Sequence, residues 1–433
     1  MMDLPGWAET RLGMLGRYVN GRGFKSSEWS DSGLPIIRIQ NLTGSSSTVN
    51  YYSGVVEDRY IVEPGDLLIS WAATLGAYFW PGPRAVLNQH IFRVESYINK
   101  NFHKYLVDNA LRELMTKTHG SGMVHITRKP FDETPVLLPP LAEQGRIVAA
   151  IEEQFSRLDV GVTALERARQ NLKYMRSALL QAAVTGQLVS DPGRQWERRL
   201  LPTLGTLDRG KSRHRPRNAP ELYGGPYPFI QTGDVAAATP WIRSYSQAYS
   251  EDGLAQSRLW PSGTLCITIA ANIARTGILA FDACFPDSVV GFVPDDGLTA
   301  ARWVELIVRH MQSRLERLAP ATAQKNINLA VLRALEIPYP DMRYQAKVVE
   351  EYDRHMSLIA SLDEAIDTAV RQSHRLRAAI LTIALSGKLT PQEPSDEPAS
   401  VLLERIAVER TQSNGHAPTL TRNAHLLQQK VKA

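Results

Sequence analysis

The chain repeats itself. Residues Ile126 to Leu188 align with Ile327 to Leu389 at one constant offset of 201 without a gap, and thirteen of the 63 pairs are identical. Chance would supply about four. Upstream, Trp7, Leu12, Gly16 and Gly21 meet Trp196, Leu201, Gly205 and Gly210 at an offset of 189, and Pro35 and Pro228 open similar apolar runs. The segment from Gly65 to Ser70 likewise resembles that from Gly263 to Thr268, and the drift in offset places longer loops in the second copy. Two copies of one unit are therefore expected.

Within each unit, short apolar runs such as Pro35 to Ile39 and Leu67 to Trp71 lie between Gly, Pro, Asn and Ser, as strands do. The later part is helical. Leu158, Leu165, Leu172 and Leu179 recur every seven residues, Phe155 and Val162 fill the alternate positions, and Arg169 and Arg176 interrupt them. The second copy keeps Met356, Ile359, Ile366, Val370 and Ile380 but places Asp363 and Ser373 where the first has Val162 and Leu172. Gly186 and Gly387 stand where each helix ends. A helix from Arg146 to Thr185 would run about 60 Å at 1.5 Å per residue, too long for one small domain to cover. The economical arrangement is two such helices packed antiparallel, holding the globular parts at opposite ends. The expected fold class is α+β: two α/β domains in tandem repeat, separated by two long helices packed as an antiparallel coiled coil. The expected boundaries are 1–138 and 191–338 for the domains, 139–190 and 339–390 for the helical regions, and 391–433 for a C-terminal tail. A short docking helix is expected over Val401 to Arg410, and beyond Gly415 little fixed structure is expected apart from a short helix at Ala424 to Val431.

Composition narrows the class. With 43% hydrophobic and 21% charged residues in 433, the chain is globular, and no apolar run approaches the roughly 18 residues of a membrane span. The N-terminus has neither a basic start nor an apolar core, so a cytoplasmic location is expected. Cys266 and Cys284 suit a strand position and a loop rather than a disulfide framework or a zinc site. Net charge is +5, from 49 basic and 44 acidic residues, which permits nucleic-acid binding without requiring it. Arg209, Lys211, Arg213, Arg215 and Arg217 nevertheless fall within nine residues that contain no acid.

Two diverged copies held apart suit a bipartite target whose halves differ, and DNA is the natural ligand. At this point the chain resembles the specificity subunits of type I restriction-modification systems. The resemblance rests on Leu4-Pro5-Gly6-Trp7 with Leu12-Gly13 and on Pro139-Pro140-Leu141-Ala142-Glu143-Gln144 before the first long helix. It also rests on the helix ending at Leu179 to Leu188, on Gln324-Lys325-Asn326-Ile327, and on the Glu397 to Ile406 segment. It implies a subunit in which each domain reads part of an interrupted asymmetric sequence, while the helices set the spacer and bind partners. Those partners are two adenine methyltransferase subunits and restriction (translocase-nuclease) subunits, with no membrane involved. It implies no cofactor on this chain, S-adenosylmethionine on the methyltransferase partner, and ATP and magnesium on the restriction partner. The second copy departs from the pattern at Pro340 to Gln345, keeping only Pro340 and Gln345 of the first copy's motif.

Catalysis has no expected home in the chain. Gly205 to Ser212 satisfies the phosphate-loop spacing G-x-x-x-x-G-K-S, but Pro216 and Pro220 follow where a helix would have to begin. The equivalent Gly16 to Gly23 lacks the Lys and Ser. Adenine-methyltransferase signatures, clustered carboxylates with Lys, and paired His are all missing. No catalytic or metal-ligating residue is assigned; the leading alternative is a coiled-coil scaffold or adaptor that binds protein instead of DNA, and the enzyme alternative is a P-loop protein hydrolysing a nucleotide with Lys211. For DNA contact the candidates are Arg22, Lys25, His125, Arg128 and Lys129 in the first domain. In the second they are Arg209, Lys211, Arg213, Arg215, Gln324, Lys325 and Asn326. The poorly repeated segments Thr43 to Tyr52 and Ala236 to Tyr249 could carry base contacts instead. For partner binding by the helices the candidates are Gln144, Arg176, Gly186, Gln345, Arg377 and Gly387.

Overall fold

The structure, a computed structural model, describes residues 4–117, 127–190, 196–270, 273–318 and 326–415. It divides into two compact units, residues 1–164 with 369–433, and residues 165–368. The two long helices, Leu141–Val184 and Met342–Leu385, have 44 residues each, and both contribute to each unit.

Inside each unit the long helices run antiparallel. In the first unit Ile147, Val148 and Ile151 share a core with Leu381, Ala384 and Leu385, while Asp159 pairs with Arg377, whose guanidinium lies 4.8 Å over the Phe155 ring. In the second, Ala183 and Val184 share a core with Tyr344, Val348 and Tyr352. Arg176 reaches Asp363 at 2.9 Å and Arg169 pairs with Asp367. The heptad seam of the first helix is the stripe withdrawn from solvent: Phe155, Leu158, Val162, Leu165 and Leu172 are buried or half-buried between exposed neighbours. Arg169, Arg176 and Asp363, which look in sequence like breaks in that seam, are opposed across it. Each is roughly a third exposed, so these pairs fix register more than they stabilise.

The two domains share one four-stranded antiparallel order in their main sheets. The first has an antiparallel sheet ordered Gly16–Asn20, Ile91–Ser96, Leu67–Ser70, Gly76–Phe79. The second keeps that order as Gly205–Arg209, Val289–Pro294, Leu265–Thr268, Thr276–Leu279 and adds Trp241–Ile242 parallel to the last strand. A smaller sheet of the first domain pairs Leu34–Ile37 in parallel with Ala85–Leu87. In the second only the parallel bridge between Phe229 and Cys284 remains of that pairing, beside the Tyr223–Phe229 and Gln247–Tyr249 hairpin. Each domain also closes on an antiparallel ribbon, Ala8–Arg11 with Pro135–Leu138 and Glu197–Leu200 with Glu336–Tyr339. Cys266 and Cys284 are free and both buried: Cys266 lies on a strand, and Cys284 lies in the loop between two strands, drawn inside by its bridge to Phe229.

Among the described residues the tail forms one helix, Ala399–Gly415, longer than the sequence suggests. Ala399, Leu402 and Ile406 join the core of the first unit, Ala399 N donates to Gly6 O at 2.8 Å, and Arg410 reaches Gly13 O at 2.6 Å. Its docking surface is therefore this chain's own first domain. The expected helix at Ala424 to Val431 lies outside the described residues.

Candidate nucleic-acid interface

The same sheet end is built twice, and glycine makes both versions possible. Gly21 N donates to Ile91 O at 3.2 Å and Gly210 N to Val289 O at 2.9 Å. A Cβ on Gly21 would lie 2.1 Å from Asn88 O, and one on Gly210 2.2 Å from Phe285 O. No other residue fits so close to a carbonyl. These contacts seat Arg22 to Lys25 and Lys211 to Arg213 at equivalent ends of the two sheets. The next turn repeats as well: Ala73 and Ala274, each soon after a sheet strand, hold φ of 57° and 56°. An alanine pays of order 1 kcal/mol or more for that conformation, and such strain persists where the surrounding structure imposes it.

In the first domain this end opens into a cleft of about 750 Å³, lined by Arg22, Lys25, Trp29, Arg38, Gln40 and the turn Asn88 to His90, among others. Arg22 is held at 2.7 Å by Glu28 and lies 4.3 Å over the Phe24 ring. Glu28 in turn accepts from Lys25 N, and that bond, with the Arg22 guanidinium, holds its carboxyl below the usual range. Lys25 and Arg38 have no carboxylate at ion-pairing distance among the described residues; Arg38 Nη1 reaches Asn50 Oδ1 at 3.3 Å. The cleft therefore gathers three cations, Arg22, Lys25 and Arg38, against the one carboxylate of Glu28, among amide, imidazole and indole groups. That combination suits phosphate and base edges.

In the second domain the basic loop after Arg209 is clamped by its backbone, leaving cationic heads available. Gln256 Oε1 accepts from Arg213 N at 2.5 Å and His214 N at 3.1 Å, and Ser257 Oγ donates to Lys211 O at 2.8 Å. Arg209, Lys211 and Arg213 make no ion pair among the described residues. Arg215 is turned back onto Ser212 O and His214 O at 2.8 Å each, and Arg217 is bound to Asp287 at 2.9 and 3.0 Å. Asn326 is exposed and bridges to Ala270 beside the strained turn, at the same sheet end.

Not every candidate belongs to this surface. Arg128 donates to Asp132 at 2.6 Å and Tyr18 O at 2.8 Å and lies over the Tyr18 and Phe92 rings, so it braces a short helix against the sheet. Lys129 is exposed but does not line the cleft. His125, Gln324 and Lys325 lie outside the described residues. Arg38, Gln40, Gln89 and His90 go unnoticed in the sequence reading. Their signal there is a polar run, Asn88-Gln89-His90, set between two apolar strands.

Of the six helix residues proposed for partner contact, the two glutamines are withdrawn from solvent, while Arg176 and Arg377 stay partly exposed. Gln144 and Gln345 are fully buried; their Nε2 atoms donate to Pro139 O at 3.0 Å and Pro340 O at 2.9 Å, and their Oε1 atoms accept from Asn99 N and Ala300 N. This explains why Pro340 and Gln345 alone survive in the second copy: they make the bond that ties helix to domain. Gly186 and Gly387 end their helices at φ of 80° and 71°, where a Cβ would meet Trp196 at 2.8 Å and Leu4 at 2.7 Å. Arg176 and Arg377 lie in the helix seams. Identity between copies marks contacts that each unit makes with itself. The long helices instead expose Val160, Tyr174, Met175, Leu358 and Leu362, apolar residues outside the seam.

The phosphate-loop spacing dissolves in the structure. Gly205–Arg209 is a strand, no helix follows it, and the Ser212 hydroxyl is buried 3.5 Å from Tyr249 Oη. Among the described residues no group of three or more His, Cys, Asp or Glu could hold a metal ion, and no helix is long and apolar enough to cross a membrane.

Comparison with known proteins places this architecture. The family model for the type I restriction modification DNA specificity domain matches residues 5–171 and again 194–369, one match per copy. The chain belongs to this family. It is 26% identical over 454 residues to the type I restriction enzyme EcoBI specificity subunit of Escherichia coli, covering 94% of this chain and 93% of that protein. To the EcoKI specificity subunit of Escherichia coli strain K12 it is 22% identical, covering 95% and 97%. In fold it is similar to a chain from a structural study of complex assembly and conformational transition in the type I restriction-modification system, with TM-score 0.67 and 16% identity over 89% of this chain and 99% of that one. It is also similar to the HsdS subunit from Thermoanaerobacter tengcongensis, with TM-score 0.55 and 19% identity over 89% and 98%.

Proposed function

We propose that this chain reads an interrupted, asymmetric DNA sequence for a type I restriction-modification complex, each recognition domain taking one half-site. The observation that carries the reading is the duplicated sheet end, with the same glycine-pinched backbone in both copies and different polar side chains on each. A shared frame gives both domains one way of approaching the duplex, and divergent side chains give them different sequences to read. The chain itself performs no chemistry. Two methyltransferase subunits using S-adenosylmethionine modify adenine, and restriction subunits using ATP and magnesium translocate and cut. The exposed apolar residues Tyr174, Met175, Leu358 and Leu362 on the long helices are the methyltransferase-facing surface, and the assembly works in the cytoplasm.

Methylome sequencing of a host expressing this chain with and without its methyltransferase partner tests the reading. An interrupted asymmetric motif, methylated only when both are present, is the expected result; a bound and active partner that yields no motif would sink it. Replacing Lys25 and Arg38, or Lys211 and Arg213, with Ala is expected to lower the salt dependence of DNA binding by about 0.9 per lost phosphate contact. Unchanged slopes in both double variants would remove these residues from the interface.

A further inference from the structure

The turn that enters the central strand of each domain differs chemically between the copies. In the first domain it is Asn88-Gln89-His90, and at the matching place before Val289–Pro294 the second has Pro286-Asp287-Ser288. The first turn is locked from both sides. Arg22 N donates to Leu87 O at 3.1 Å, Ile91 N to Asn88 O at 3.2 Å, and Gln89 N to Asn88 Oδ1 at 2.6 Å. His90 meets the Trp71 ring edge to face at 5.3 Å. Between these fixed neighbours the Gln89 side chain is exposed in the cleft, its Nε2 lies 3.2 Å from His90 Nε2, and its Oε1 lies 2.8 Å from where a Cβ on Gly23 would be. With His90 Nε2 accepting, the amide is oriented and keeps one hydrogen and its oxygen for a ligand. One donor beside one acceptor on a planar group matches N7 and the N6 amino group of adenine. Asp287 offers acceptors only, and Arg217 already occupies it.

We infer that Gln89 is the specificity-determining residue of the first domain, reading an adenine edge through its amide, with His90 as its positioning residue. This rests on the DNA-reading function proposed above. In the second domain the equivalent turn takes no part in such a contact, which makes the two half-sites differ at the corresponding base pair.

The test is the methylated motif obtained in the host from the full chain with its methyltransferase partner, for wild type, Gln89→Ala and Gln89→Glu. The expected result is a loss of discrimination at one A·T pair of one half-site in Gln89→Ala, of order ten- to a hundredfold, with the other half unchanged. Gln89→Glu, which only accepts, is expected to shift that position toward cytosine, whose N4 amino group donates. A wild-type motif that persists unaltered in both variants overturns the inference while leaving the proposed function standing. A change at a G·C pair, or loss of methylation in Gln89→Ala without a shifted base in Gln89→Glu, also overturns it. A wild type that yields no motif overturns the function itself.

Discussion

At the scale of single residues, the repeat separates what each unit needs from what each domain does. Gly21 and Gly210 recur because a Cβ at either would lie 2.1 or 2.2 Å from a carbonyl oxygen, and Gln144 and Gln345 recur because each joins helix to domain. His103 shows the other outcome. It is fully buried between Tyr18 Oη and Ser96 Oγ, 2.8 Å from each, and burial pushes its imidazole down to about 3. The corresponding residue of the second copy is Val304. Because the folded-state pKa lies below the unfolded value of about 6.5, the contribution of neutral His103 is fully present above pH 6.5 and is lost as pH falls toward 3. The loss reaches up to about 1.4 kcal/mol for each pH unit in that window. Calorimetry at pH 7 and pH 4.5 is expected to show a smaller acid-induced fall in thermal midpoint for His103→Asn than for wild type. An equal fall in both would mean that His103 takes up no proton on unfolding.

At the scale of elements, the long helices were legible in the sequence because seven-residue spacing of Leu is a one-dimensional signal that survives folding. The apparent faults in that seam were not. Arg169 and Arg176 interrupt one helix and Asp363 the other, and only their opposition across the antiparallel pair turns three faults into a register lock. Both helices contribute to each unit, and the proposed spacer role is tested by changing their length. Inserting four residues near Leu165, with four matching residues near Val370, adds about 6 Å, the rise of about two base pairs. The methylated motif is expected to keep both half-sites and gain a longer gap between them. A change in either half-site would show that the helices take part in reading bases.

At the scale of the whole molecule, the duplicated chain keeps its frame in both copies and changes its surfaces. The exposed pair Leu358 and Leu362, each 52% exposed and one turn apart, is a surface the frame does not need. Replacing both with Glu is expected to leave the thermal midpoint within a few degrees of wild type and to abolish co-purification of the methyltransferase subunit. Retained co-purification would place that contact elsewhere. The sequence by itself determined the duplication, the strand-then-helix order of each unit, the pairing of long helices and the basic loop after Arg209, because periodicity and identity at a fixed offset are properties of the chain. Only the tertiary structure decided which polar residues converge on one cleft. Arg22, Arg38 and Gln89 come from three separated segments, brought together where strands of two sheets end side by side. It also buried Gln144 and set Arg176 against Asp363, since burial and pairing depend on what the rest of the chain places against a residue, and no local pattern carries that information.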